Sequence, residues 1–325
     1  MKILVRLPNW LGDMVMSIGF INALKQQYPG AVISVIAKKG IHGLLDLYPI
    51  NGHHFIFSKK EYPGLQGLWQ FGRMINKTEK FDLFFCLPDS FSSAFMAYAS
   101  GAKKRIGYKK EIRSLFLTHS FPKSIAAHRV EQYIDLLRKF TQNSIPSQPV
   151  LLKTLSVPKN EQIIVNINSE ASSRRLPVHT AIKIISQIQK QFSQKLYLIG
   201  GIADAAYVNE VINQLPEKKN IENAAGKTSL QELAILIAGS KIVLSTDSGP
   251  AHVANALSIP TVVLFGAGNE FHTAPYNAVY RSIIRLGKLT CEPCVKNVCV
   301  LYGTPKCLEL LDEKLIVNTM LAMIH

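Results

Sequence analysis

The chain has 325 residues, 47% hydrophobic and 18% charged, with a net charge of +15; these proportions exclude a disordered chain and leave room for two cores of ordinary size. No stretch approaches the ~18 unbroken apolar residues of a membrane-spanning helix. Met1-Lys2 and a short apolar run that meets Arg6 at once do not make a secretory leader, so the mature protein is expected to begin at its first strand, in the cytoplasm.

In chain order, residues 3–6 read as a strand, 13–27 as a helix, 31–37 as the next strand and 82–86 as a further buried strand. The stretch 144–159, with Pro146, Pro149 and Pro158, reads as the connection between domains. The rhythm then restarts. Strands are expected at 162–167, 195–199, 241–244 and 261–265, and helices at 177–192, 229–238, 249–257 and 309–323. Short β-branched runs alternating with amphipathic stretches predict α/β architecture with parallel sheets. Two Rossmann-like domains, 1–155 and 156–325, are expected with a cleft between them. The charge divides unevenly across them. Residues 1–160 carry 22 Lys/Arg against nine Asp/Glu, a net of +13, and residues 161–325 carry 15 against 13. A basic first half attracts an anionic partner, although a solvated surface has the same composition.

Polar motifs gather where strands give way to helices. Ser245-Thr246-Asp247-Ser248-Gly249-Pro250-Ala251-His252 follows a buried strand and opens a helix. Gly249 permits close backbone approach, Pro250 suits the first helical turn, and the positive helix end favours an anion. A helix merely capped by Asp247 or Ser248 fits the same residues. Residues 168–177, Asn-Ser-Glu-Ala-Ser-Ser-Arg-Arg-Leu-Pro, offer hydroxyls and the adjacent cations Arg174 and Arg175, suited to phosphate or to plain surface.

Two partial motifs are excluded: Gly226-Lys227-Thr228 lacks the leading glycine of a P-loop because Ile221 stands there, and Gly266-Ala267-Gly268 lacks the third glycine of a dinucleotide fingerprint because Phe271 does. Gly226 and Thr228 can still line a ligand pocket. In the first loop, Arg6-Leu7-Pro8-Asn9-Trp10-Leu11-Gly12-Asp13, Asp13 fits either a helix cap or a general base. Cys291, Cys294, Cys299 and Cys307 are dense enough for zinc, but their second spacing departs from the common ribbon pattern, and reduced thiols are the default. There is no Asp-x-Asp pair and no His-Glu-x-x-His sequence.

Taken together, these segments resemble glycosyltransferase family 9, the bacterial lipopolysaccharide heptosyltransferases, and within it the heptosyltransferase II branch. The resemblance rests on Val5 to Ser17, on Leu87-Pro88-Asp89-Ser90-Phe91-Ser92-Ser93-Ala94, on Arg105-Ile106-Gly107-Tyr108 with Arg113, and on His128 and Tyr133. It continues through Ala225-Gly226-Lys227-Thr228-Ser229-Leu230, residues 247–252 and Phe265-Gly266. It implies a GT-B fold and metal-independent, inverting transfer of a heptose from ADP-heptose to a phosphorylated Kdo- or heptose-bearing lipid A core, with no cofactor.

By the same resemblance Asp13 is the general base. Arg174, Arg175, Ser172, Gly226, Thr228, Asp247, Ser248, Gly249 and His252 face the donor, and Asn9, Trp10, Ser90, Arg105, Tyr108 and Arg113 the acceptor. The chain is expected to act as a monomer at the cytoplasmic face of the inner membrane, in peripheral contact with its surface. One departure stands out: Asn168-Ser169-Glu170-Ala171 and Arg174-Arg175-Leu176-Pro177 replace a Pro-Gly-Ala-rich loop and Lys-Arg-Trp-Pro, bringing Glu170 near an expected diphosphate. The competing readings are another sugar-nucleotide enzyme on this fold, such as an epimerase, and a non-catalytic binder of anionic polymers. No nucleic-acid-binding module is present.

Overall fold

A computed structural model describes residues 1–324, which divide into two compact units at Lys153/Thr154. In unit 1 the strands are β1 (Lys2–Arg6), β2 (Val32–Lys38), β3 (His54–Phe57), β4 (Leu83–Cys86), β5 (Lys104–Tyr108) and β6 (His119–Phe121). In unit 2 they are β7 (Ile163–Asn166), β8 (Leu196–Leu198), β9 (Ile221–Asn223), β10 (Ile242–Thr246), β11 (Thr261–Phe265) and β12 (Arg281–Arg285). Each unit forms one six-stranded sheet, in the orders β3-β2-β1-β4-β5-β6 and β12-β11-β10-β7-β8-β9. Every neighbouring pair is parallel. Both orders are doubly wound, and the order in which strands are added reverses between β1 and β4 and between β7 and β10. Parallel strands covered on both faces need continuous apolar runs, which Ile3-Leu4-Val5 and Ile163-Ile164-Val165 supply, all fully buried.

Unit 1 carries α1 (Leu11–Met16), α2 (Ile18–Gln27), α3 (Gly64–Thr78), α4 (Phe91–Ala99) and α5 (Arg129–Thr141). Unit 2 carries α6 (Val178–Gln191), α7 (Ala205–Gln214), α8 (Leu230–Ala238), α9 (Gly249–Ala256), α10 (Glu270–Thr273), α11 (Lys306–Glu309) and α12 (Glu313–Ile324). Helical spacing seats them: Ala181, Ile184, Ile185 and Ile188 of α6 join the buried cluster that also holds Ile316, Val317 and Met320 of α12. In unit 1, Leu68, Phe71 and Ile75 of α3 do the same beside Ala94, Met96 and Ala97 of α4. No helix among the described residues is long and apolar enough to cross a membrane.

Two expected helices are interrupted. The helix read over 13–27 is α1 and α2, broken at Ser17, whose hydroxyl donates to the Met14 carbonyl at 2.6 Å and competes with the regular ladder. The helix read over 309–323 begins at Glu313. Asp312 Oδ1 accepts the N–H groups of Lys314 (2.8 Å) and Leu315 (3.3 Å), a side-chain cap that sets the start.

Candidate functional site

In a doubly wound sheet, ligands bind beyond the carboxyl ends of the strands where the order reverses. In unit 1 that point lies between the loops after β1 and β4. Buried Arg6 ends β1 and builds the first loop: its guanidinium donates to the carbonyls of Leu7 (2.6 Å) and Ile36 (3.1 Å) and to Asn9 Oδ1. Burial lowers its pKa to about 10, so it remains charged at neutral pH. Asn9 therefore serves the loop, while Trp10 is exposed with Lys38 Nζ 5.7 Å from its ring centre.

Asp13 lies in the first turn of α1, where the helix end favours its charge. The N-cap position is Trp10, so Asp13 is not the cap. Its Oδ1 is 3.3 Å from Arg129 Nε and accepts a 3.4 Å hydrogen bond from the Tyr133 hydroxyl. Burial, then the Asp13 charge, pushes the Tyr133 phenol well above its ordinary range, so it stays protonated and donates. Arg129 and Tyr133 are both on α5, so one helix brings a cation and a neutral donor to the carboxylate.

The other expected acceptor residues divide. Ser90 is the N-cap of α4 and accepts from Ser93 N–H. Arg105 donates to the carbonyls of Phe116 and Ala102, both at 2.9 Å. Arg113 and Tyr108 are interior. Arg113 is 2% exposed and donates to the carbonyls of Pro88, Ser90 and Tyr108 and to Ser93 Oγ. Tyr108 is 1% exposed and donates to the Gln132 carbonyl. A buried guanidinium must spend its N–H groups on nearby acceptors, and these two residues fasten the post-β4 and post-β5 loops and α5.

In unit 2 the corresponding point lies between the loops after β7 and β10, which are tightly cross-linked. Asn166 Nδ2, at the end of β7, donates to Ser248 Oγ (2.7 Å) and Ser245 Oγ (3.0 Å). Thr246 Oγ1 donates to the Asn168 carbonyl (2.5 Å), and Asn168 Nδ2 to the Ile199 carbonyl (2.6 Å). Arg174 Nη1 is 3.3 Å from Asp247 Oδ2, and Asp247 is 4% exposed. Ser248 stands at the N-cap of α9 but makes no side-chain cap bond; its hydroxyl belongs to the Asn166 cluster. His252, in the second turn of α9, is 6% exposed.

The remaining residues expected at the donor spread along the same strand ends. Arg175 turns to Asp204 (3.1 Å) and the Ser169 carbonyl (3.2 Å), stacked 5.2 Å over Tyr207. The Ser172 hydroxyl donates to the Asn297 carbonyl (3.2 Å). Gly226, at φ +73°, donates from its N–H to the Gly200 carbonyl (2.9 Å), and Thr228 follows in the same turn. Glu170 is exposed.

Sequence reasoning passed over three residues. Arg129 left no trace, because its partner lies more than a hundred positions away. Asn166 was signalled only as a polar end to an apolar run. Gly268 has its vacant Cβ position 2.0 Å from Asp247 Oδ2, so the carboxylate occupies the space a side chain would need. The cysteine segment packs here too: Ser173 N–H donates to the Asn297 carbonyl (3.1 Å) and Val295 N–H to the Ala267 carbonyl (2.8 Å). All five cysteines are free thiols. Burial, then Glu292, Cys294 and Cys299, pushes Cys307 up to about 11. Among the described residues, no three His, Cys, Asp or Glu side chains form a group that could hold a metal ion.

A family profile described as glycosyltransferase family 9 (heptosyltransferase) matches residues 69–304. Lipopolysaccharide heptosyltransferase 2 of Escherichia coli K12 is 29% identical over 315 residues, covering 88% of each chain. The structure of E. coli ADP-heptose LPS heptosyltransferase II superposes with a TM-score of 0.84 at 25% identity, over 100% of this chain and 98% of that one. A family 9 glycosyltransferase from Veillonella parvula shares the fold at a TM-score of 0.86 and 20% identity, over 99% and 97%.

Proposed function

The chain belongs to glycosyltransferase family 9, the heptosyltransferases, and from that premise we propose that it moves a heptose from ADP-heptose to the inner core of a lipid A-anchored acceptor, with inversion at the anomeric carbon. Unit 1 takes the acceptor and unit 2 the donor. The carrying observation is the Asp13 carboxylate, set in the first turn of α1 and held through Oδ1 by Arg129 and Tyr133. A carboxylate oriented in this way is equipped to take a proton from a hydroxyl.

In the proposed step Asp13 removes the proton of the acceptor hydroxyl as its oxygen bonds to the anomeric carbon. The bond from that carbon to the diphosphate oxygen breaks, and ADP departs with the electron pair. Charge grows on the leaving diphosphate, where fixed donors lower the barrier most. Arg174 and the N-terminal turn of α9 serve that end, with the Asn166–Ser248 cluster fixing the loops against each other. Arg175, paired with Asp204, contributes positive potential at longer range. The enzyme works as a monomer at the cytoplasmic face of the inner membrane, where such an acceptor is anchored.

The test is transfer from ADP-heptose to defined truncated core acceptors, followed by mass spectrometry. Asp13→Asn should lower turnover by about 10²- to 10⁴-fold, the usual contribution of a general base, with donor affinity by calorimetry unchanged. Wild-type turnover in this variant refutes the base assignment. Selective thermal stabilisation by UDP instead of ADP refutes the donor.

A further inference from the structure

Unit 1 carries an exposed aromatic and aliphatic face that the proposed chemistry does not use. It is built from α3, α4 and the 3₁₀ turn Glu111–Phe116, which pack side by side. Leu65 and Trp69 protrude from α3, Phe91 and Tyr98 from α4, and Ile112 and Leu115 from the turn, with Leu115 81% exposed. Isolated exposed apolar residues are ordinary; a connected set is not. Here ring contacts connect them: Trp69 touches Phe95 and Tyr98, and Phe91, Phe95 and Tyr98 all meet Phe116, at centroid distances of 5.3–6.3 Å.

The face is also cationic. Leu65, Trp69, Arg73 and Lys77 are four apart on one stripe of α3, so apolar tips pass into charge along the helix. Arg105 lies 5.7 Å over Tyr98, and Lys109 and Lys110 lead into the turn. Glu111 is the only carboxylate among residues 64–78, 91–99 and 109–116, and Asp89, just before α4, is paired with Lys123. Residues 1–153 as a whole hold 21 Lys/Arg against nine Asp/Glu. The N-terminal ends of α3 and α4, and the turn after β5, all lie at the strand-end edge that bears Asp13, because they follow parallel strands.

We propose that this face docks the protein on an anionic lipid bilayer: the aromatic and aliphatic tips enter the headgroup region and the rim of Arg and Lys meets lipid phosphates. A second copy of the chain is the poorer occupant, since face-to-face pairing would oppose like charges with one carboxylate per copy to offset them. The inference rests on the lipid-anchored acceptor proposed above, because docking at the Asp13 edge is useful when the substrate is held in the same membrane.

The test uses the full chain and flotation with vesicles of phosphatidylethanolamine and phosphatidylglycerol, against phosphatidylcholine alone. Wild type should float with the anionic vesicles and be released as salt rises. The variant Trp69→Ser/Ile112→Ser/Leu115→Ser should bind at least tenfold more weakly with its melting temperature retained. Arg73→Gln/Lys77→Gln should bind more weakly and with a shallower salt dependence. Turnover of a deacylated, water-soluble acceptor should be the same in all three proteins. If that assay fails in wild type while flotation behaves as stated, sugar transfer is at fault and docking is not. Vesicle binding unchanged in the triple variant, or a dimer in the ultracentrifuge that the triple variant alone dissociates, overturns the proposal.

Discussion

Replacing Gly268 with alanine should loosen the strand-end loops of unit 2 by displacing the Asp247 carboxylate. The added methyl would fall 2.0 Å from Asp247 Oδ2, 3.1 Å from its Cγ and 3.3 Å from Phe265 Cδ1. The carboxylate must then retreat by roughly 1 Å, since carbon–oxygen contacts well under 3 Å are repulsive. Elsewhere such a side chain would simply swing aside, but Asp247 is buried and bound to Arg174. Overpacking of this kind costs about 1–3 kcal/mol. At ~2–4 °C per kcal/mol for a domain of this size, unit 2 should melt about 2–12 °C lower. Freed from its partner, Arg174 should hold the donor less well, and a tenfold loss of ADP affinity corresponds to about 1.4 kcal/mol.

Calorimetry and ADP titration measure both effects. A double-mutant cycle isolates the contact: in Asp247→Ala protein the same glycine substitution should be nearly neutral, because the obstructed oxygen is gone. A Gly268→Ala protein with unaltered melting and unaltered ADP affinity would refute the reasoning, as would equal costs in the two backgrounds.

Arg129→Ala should reduce kcat about tenfold to hundredfold, the scale of a misplaced catalytic group, with KM for ADP-heptose unchanged. Arg129→Lys should recover part of the loss; a KM effect without a kcat effect would assign Arg129 to binding instead of to positioning Asp13. For the thiols, alkylation of native protein near pH 8 should modify Cys291, Cys294 and Cys299 first. Cys86 and Cys307, whose pKa values burial raises to about 12 and about 11, should react only on unfolding. Early loss of the Cys307 thiol, followed by mass spectrometry, would contradict its packing against Gly266.

How much of the fold could be read in advance depends on how each element is buried. Strand β11 was expected over 261–265 and forms there, because Thr261–Phe265 is buried throughout and a continuous apolar run has no other use in so short a length. The edge strands β6 and β9 escaped notice. His119-Ser120-Phe121 and Ile221-Glu222-Asn223 are partly or fully exposed, and their pairing is determined by the neighbouring strand instead of by their own pattern. Likewise the breaks at Ser17 and Asp312 come from single side chains bonding to backbone groups two to three residues away, which hydrophobic periodicity does not register.

The candidate site divides along the same physical line. Asp13, Arg174 and Asp247 were legible because each follows a strand at a reversal point, where the fold leaves polar groups at the sheet's end. Arg113 and Tyr108 occupy comparable positions and have comparable chemistry, yet they face inward and hold loops by their carbonyls. An arginine left partly open at a strand end and one that braces a loop look alike in sequence; burial separates them. Conversely, the groups that make Asp13 and Asp247 precise are remote or featureless: Arg129 and Tyr133 lie on α5, and Gly268 contributes only the absence of a side chain. Both reversal points therefore use the same construction, an acidic side chain from one strand-end loop immobilised by an arginine from another segment of its own unit. An acid placed by its strand but aimed by a distant cation stays oriented only while the unit is folded, which makes the geometry at Asp13 and Asp247 a property of tertiary packing and not of the motifs that contain them.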